Sequence, residues 1–287
     1  MLERLDPRWL IVAGAALFST GGGAIKGTTL GGMQVACLRS GIAFVALMLL
    51  VPACRRGWRP ALGLVGVSYA ATLVLFVQAT KLTTSANAIF LQSTAPLFLL
   101  FLAPWLLKEP VRRSDLGFML AMSAGLMVLM AGAGEPANTA PDPTLGNTLG
   151  ALAGVTWALT LLGLRAMARD DNGQSATTAA AIGNLFAFLG CAAFTFPLPA
   201  ITTSDVLSVF YLGVVQIALA YILVTRAMAR VTALEASLLI LVEPVLNPVW
   251  TWWLHDEWPG IAALLAGALI LAATVHRTLS QRPAPPG

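Results

Sequence analysis

The stretch YAATLVLFVQATKLTTSANAIFLQSTAPLFLLFLAPWLLKEP, residues 69–110, decides the fold, because the chain writes a version of it again 148 positions later. In that register Ala70 falls on Ala218, Leu75 on Leu223, Ala79 on Ala227, Ala88 on Ala236, Leu91 on Leu239, Pro96 on Pro244, Leu106 on Leu254 and Glu109 on Glu257. Alanine and leucine coincide easily in an apolar sequence; a proline and a glutamate falling into step do so less readily. The chain therefore reads as a duplicated unit, residues 1–133 and 145–287, joined by a linker at 134–144 that coincides with the run AGEPANTAPDP, residues 133–143.

The medium in which this unit folds follows from composition. Of 287 residues 57% are hydrophobic and only 10% charged, whereas a water-soluble domain carries about 25% charged residues. Windows without Asp, Glu, Lys or Arg run through 9–25, 61–80, 82–107, 116–134, 144–164, 206–225 and 259–275. A bilayer core of ~30 Å is crossed by about 20 apolar residues in a helix, with ~17 enough, so each window is expected to span. Three further spans, near 31–52, 174–196 and 232–254, bring the expectation to ten; the first holds Arg39, and the last holds Glu235 and Glu243. The apolar run after Arg4 and Arg8 is read as a retained first span rather than a cleaved signal, since further spans follow it.

Basic residues give the orientation. Fourteen of the 17 Lys and Arg fall at the N-terminus, at the C-terminus or in loops on the same side, among them Arg55, Arg56, Arg59, Lys108, Arg165, Arg169, Arg226 and Arg230. The opposite loops hold Lys26 and Lys81, and Arg39 is within a span. The positive-inside bias then places both termini in the cytoplasm. Five spans per copy is an odd number, so the second copy enters the membrane from the other side. The expected fold is an all-α integral membrane protein of ten transmembrane helices arranged as two inverted five-helix repeats. Such repeats place a solute site near the midplane, exposed to each side in turn as one repeat rocks against the other.

These features resemble a known family. The first span, ALFSTGGGAIK, is echoed in the sixth by GVTWALTLLGLR; an arginine stands in the second (CLRSG); and SANAIFLQSTAPLF…WLLKEP is matched by ALEASLLILVEPVLNPV…WLHDE. Over nearly the whole chain this is similar to the drug/metabolite transporter superfamily, EamA type. The resemblance implies a bacterial inner-membrane exporter of amino acids or related metabolites, working without ATP, and within the family the amino-acid exporter branch. One departure is that Glu243, before the mid-span Pro244, corresponds to Ala95 in the first copy.

The glycine triplet in FSTGGGAIKG, residues 18–27, does not make a nucleotide site. A phosphate-binding loop needs G-x-x-x-x-G-K-[ST], yet here Lys26 precedes Gly27, and the dinucleotide pattern meets Lys26 where its third glycine belongs. Within a span, Gly21, Gly22 and Gly23 leave backbone bare, which suits either close helix packing or a hinge. Gly146, Gly150 and Gly154 form a small-xxx-small packing face. Pro96 and Pro244, each mid-span, remove a backbone hydrogen bond and bend the helix, giving either paired hinges or static kinks.

Candidate substrate-binding residues are the polar and aromatic side chains at similar depth: Ser19, Thr20, Arg39, Tyr69, Gln78, Asn87, Gln92, Trp157, Asn184, Gln216, Tyr221, Glu243 and Asn247. Ionisable groups in a bilayer are costly and usually face a wet cavity or a partner. Glu243 could bind a substrate amino group, carry a proton or pair within the bundle; Arg39 could attract a carboxylate, pair, or snorkel outwards. Together the set suits a zwitterion with a sizeable apolar side chain. Glu235 reads as solvated or capping, His255, Asp256 and Glu257 as loop residues, and Trp9, Trp105, Trp252, Trp253 and Trp258 as interfacial anchors. No cofactor, metal or nucleic acid is expected; the partners are lipid, a small solute and, as an open case, a proton, with a monomer as the assembly. The cysteines Cys37, Cys54 and Cys191 show no pairing or metal spacing. A membrane-embedded modifying enzyme or an accessory subunit are the alternatives, but His255 and His276 stand at span ends and Glu243 has no readable partner carboxylate.

Overall fold

The computed structural model describes residues 6–111, 116, 117, 119, 120, 123, 124, 127, 140–169, 171–196, 198 and 200–256. Among them are eight helices long and apolar enough to cross a membrane: α1 Pro7–Lys26, α2 Gly32–Leu50, α3 Pro60–Leu82, α4 Ser85–Leu107, α5 Pro143–Ala168, α6 Gln174–Thr195, α7 Thr203–Met228 and α8 Ala233–His255. They match expected spans one to four and six to nine. The expected tenth span, and most of the fifth and of the linker, fall outside the described residues, as do Glu257 and Trp258.

The sequence repeat reappears as geometry. α4 and α8 begin and end 148 positions apart. Each is capped by a threonine whose hydroxyl accepts a free backbone amide of the first turn, Thr84 from Asn87 and Thr232 from Glu235, both at 3.1 Å. Each ends on a left-handed residue, Lys108 and Asp256, both at φ 56°. Each is interrupted midway, at Ser93 and Thr94 in α4 and at Leu241 in α8. The interruptions lie just ahead of Pro96 and Pro244, where the missing N–H and the clash with the carbonyl four residues back (Gln92, Ile240) break the ladder. In α4 the two interrupting residues also turn their hydroxyls back onto the preceding turn, Ser93 donating to the Ile89 carbonyl at 2.7 Å and Thr94 to the Leu91 carbonyl at 2.7 Å, so that neither hydroxyl is left unpaired at this depth.

Packing follows the duplication. α3 lies on α5 and α6, α2 on α6 and α7, α1 on α7 and α8, and α4 on α5. Exchanging each helix for its counterpart (α1 for α5, α2 for α6, α3 for α7, α4 for α8) maps these pairings onto themselves, as a two-fold relation between the halves requires. Close approach depends on glycine at the α5 seam, where Gly146 sits against the Thr83 backbone, Gly150 against Leu91 and Gly154 against the Leu91 carbonyl. Cys37, Cys54 and Cys191 are buried and unpaired. The outer surface is apolar, with Leu64, Phe101, Trp105, Leu207 and Trp253 strongly exposed, as a lipid-facing surface should be.

At the end of the bundle holding the N-terminus, Glu109 after α4 accepts from Arg165 Nε and Arg169 Nη2 at 2.7 Å each, and from the backbone amide of Ala233 at 2.9 Å. Its carboxylate thus ties the first half to the start of α8. Glu235, expected to be solvated or capping, is buried and ion-paired with Arg8 at 2.7 Å. Burial of a lone carboxylate would be costly, and the Arg8 guanidinium offsets part of that cost. At the opposite end, buried Asp205 accepts four hydrogen bonds, from the backbone amides and hydroxyls of Thr29 and Thr202.

Candidate substrate cavity

Midway along the helices lies a cavity of about 40 Å³ lined by Phe18, Arg39, Thr72, Leu73, Phe76, Gln92, Trp157, Gln216, Ile217, Tyr221 and Glu243. Every described spanning helix except α6 contributes. The volume suits a few waters and is far below the ~300 Å³ of a ligand pocket.

The walls form three groups. Phe18 and Trp157 stand at matching places in the α1 and α5 motifs and meet edge to face, ring centres 6.5 Å apart. Tyr221 closes the cluster, 4.9 Å from Phe18 and 6.4 Å from Trp157. Behind it Tyr69 lies 4.7 Å away, with its hydroxyl accepting from Asn184 at 3.1 Å. The second group is ionic. Arg39 is 1% exposed, so it does not snorkel; its Nη2 donates to the Leu73 carbonyl at 3.1 Å. Glu243 is within electrostatic reach of Arg39 but closes neither a salt bridge nor a hydrogen bond among the described residues. The third is amide: Gln92 beside the α4 interruption, and Gln216 in a π-helical stretch of α7, Leu212–Leu219. A π turn inserts an extra residue per turn and often marks a working site.

The structure thus brings six of the sequence-derived candidates to the cavity wall: Arg39, Gln92, Trp157, Gln216, Tyr221 and Glu243. Tyr69 and Asn184 support it from behind. Five others stand elsewhere. Ser19 accepts from Trp250 Nε1 at 2.9 Å and Thr20 from Tyr211 at 2.9 Å; Gln78 packs over Gly32; Asn87 reaches Thr83 at 3.5 Å; and Asn247 donates to Ser85 Oγ at 2.9 Å. Apart from the local contact of Asn87, these join helices at the end opposite the N-terminus. The glycine triplet lets α1 pack closely here: Gly21 lies against Gln216, Gly22 against Ser85 and Asn247, Gly23 against Leu254 and Trp250. Sequence reading missed Phe18, Thr72, Leu73, Phe76 and Ile217; the echo of ALFSTGGGAIK in GVTWALTLLGLR, which sets Phe18 on Trp157, is the signal for Phe18.

Comparison with protein families matches the EamA-like transporter family twice, over residues 8–131 and 144–276. The chain belongs to that family. An EamA-like chain is a membrane transporter, and its two matched segments coincide with the two packed halves. A solved structure described only as "Crystal structure of protein" has a TM-score of 0.73 at 21% identity, covering 95% of this chain and 96% of its own; it shares the fold. Comparison with curated proteins gives no match.

Proposed function

We propose that this EamA-like transporter is a secondary exporter of amino acids or related small metabolites, working by alternating access through the midplane cavity between two oppositely inserted repeats. The observation that carries the reading is the cavity itself, where a buried cation, Arg39, and a buried carboxylate, Glu243, face a shared space without closing on each other, beside the Phe18, Trp157 and Tyr221 rings. Opposite charges kept apart at an apolar wall complement a zwitterion with an apolar side chain. Groups buried in lipid and left unpaired are expensive, and a ligand that bridges them recovers that cost.

The interrupted α4 and α8 support the transport cycle, because discontinuous helices at a repeat interface are how such transporters reshape a midplane site. Both ends are fastened by polar contacts, Glu109 and Arg8 at one, Ser85 and Asn247 at the other, and alternating access releases one set at a time. The one-sided distribution of basic residues supports a reading in which the Glu109 end and both termini face the cytoplasm, and the membrane proposed is the bacterial inner membrane. Glu243 is the only carboxylate at the cavity among the described residues, which makes it the group to carry a coupled proton.

The test is counterflow in liposomes containing only this protein, across labelled amino acids, with and without a pH gradient. Exchange of a subset of amino acids supports the reading. Exchange of none, with the protein folded and oriented, contradicts it and favours an accessory role.

A further inference from the structure

A second cavity, of about 530 Å³, lies at the end opposite the N-terminus, where α1 meets α7 and α8. Unlike the midplane space, it falls within the ~300–1,000 Å³ of ligand pockets. Each helix gives it one face. From α1 come Thr20, Gly23, Ala24 and, just past its end, Gly27; the spacing of three and four residues puts them on one side, so the floor is nearly bare backbone. In the same spacing α7 supplies Ser204, Leu207, Ser208 and Tyr211, and the opposite wall is Trp250, Trp253 and Leu254 of α8. Three polar contacts cross at this floor: Tyr211 donates to Thr20 at 2.9 Å, Trp250 to Ser19 at 2.9 Å, and His255 Nε2 meets the Gly23 carbonyl at 2.8 Å.

The lips of the groove are apolar and face outwards. Leu207 is 65% exposed, Trp253 75% and Leu254 53%, so the mouth opens on the surface that meets lipid. The walls are mostly carbon. Water finds few partners in such a space, and an empty one forfeits the dispersion contacts that hydrocarbon supplies. What polarity remains lies towards the membrane boundary. Ser204 is in the first turn of α7 and Ser208 one turn further in, and neither hydroxyl has a hydrogen-bond partner among the described residues. We infer that this groove is a phospholipid-binding site, with one acyl chain laid along Gly23, Ala24 and Gly27 between the α7 and α8 walls and the glycerol esters at Ser204 and Ser208. An ester carbonyl accepts what a serine hydroxyl donates. A zwitterionic solute has no counterpart for its charges in this lining, so the site is separate from the midplane cavity and does not depend on what is exported. The bound chain packs behind the Thr20–Tyr211 and Ser19–Trp250 contacts and braces this end of the bundle.

The test uses the full chain in vesicles of phosphatidylethanolamine and phosphatidylglycerol, with a phosphatidylethanolamine that carries a photoreactive diazirine in one acyl chain. Labelled peptides are then mapped. Phe101 is the reference for lipid that merely surrounds the protein, since it is as exposed as Trp253, at 75%. Labelling should be enriched at 20–27, 204–211 and 250–254 over the segment around Phe101. Two variants fill the groove from different walls. A side chain at Gly27 has its nearest neighbour at 3.4 Å, so Gly27→Leu enters the space without displacing backbone, and Ser208→Phe does so from α7. Each should lose the enrichment while labelling near Phe101 and the melting temperature are kept; Gly27→Ala, which leaves the groove open, should label as the parent does. Equal labelling at the groove and at Phe101, or enrichment that survives both filling variants, would overturn the inference. So would two further results: groove labelling displaced by leucine or phenylalanine, which would give the site to the solute, and a groove that stays unlabelled while Phe101 reacts, which would give it to residues 259–275 of the chain itself.

Discussion

Asn247 and Ser85, on the two helices that the duplication relates, meet at 2.9 Å directly over Gly22. A side chain at Gly22 would have to occupy the space of both polar groups. Overpacking of this kind costs about 1–3 kcal/mol, so Gly22→Ala should lower the melting temperature and slow exchange. Gly190, which has nothing within 4 Å of its missing side chain, is the control: Gly190→Ala should be neutral or stabilise by about 0.5–1 kcal/mol. Equal effects of the two in thermal unfolding would show that close packing at Gly22 is irrelevant.

Glu109 holds Arg165, Arg169 and the amide that opens α8 with one carboxylate. Glu109→Ala should destabilise by about 1–3 kcal/mol, since three donors lose a charged acceptor. Arg169→Ala should cost under about 1 kcal/mol because that side chain is 38% exposed. Thermal unfolding of the two variants settles the order; a larger loss for Arg169→Ala would contradict it.

The proline-bearing interruptions were legible in the sequence, because Pro96, Pro244, Glu109 and Glu257 fall into register without any structural information. Their caps were equally available: Thr84 and Thr232 share that register. Which side chains reach the cavity was less so. Depth along a helix is what singles out Ser19, Asn87 and Asn247, and depth fixes height in the membrane but not direction. These helices are apolar nearly all round, so their periodicity does not announce an inward face. The π-helical stretch that carries Gln216 left no sequence signal either, and the pairing of Glu235 with Arg8, 227 residues away, depends on contacts that only the folded chain reveals.

Pro96→Ala and Pro244→Ala should each restore a continuous helix ladder and slow turnover more than they weaken binding. Single-turnover exchange against equilibrium binding separates the two. Lost affinity with turnover intact would make the interruptions static features of the site.

Glu243→Gln should abolish any acceleration of transport by a pH gradient while exchange without a gradient persists at a reduced rate. Comparing initial rates at equal and unequal pH across the liposome membrane reads this out. Full acceleration in the variant would assign the proton elsewhere.

Alternating access requires the two halves to open and close around the cavity. Its most direct measurement is to place cysteines at Ser85 and Asn247 in a background lacking Cys37, Cys54 and Cys191, and to join them with a short bifunctional thiol reagent. The account predicts that linking stops exchange and that reduction restores it, with binding from the opposite side preserved. Undiminished exchange across a fully linked population would contradict alternating access.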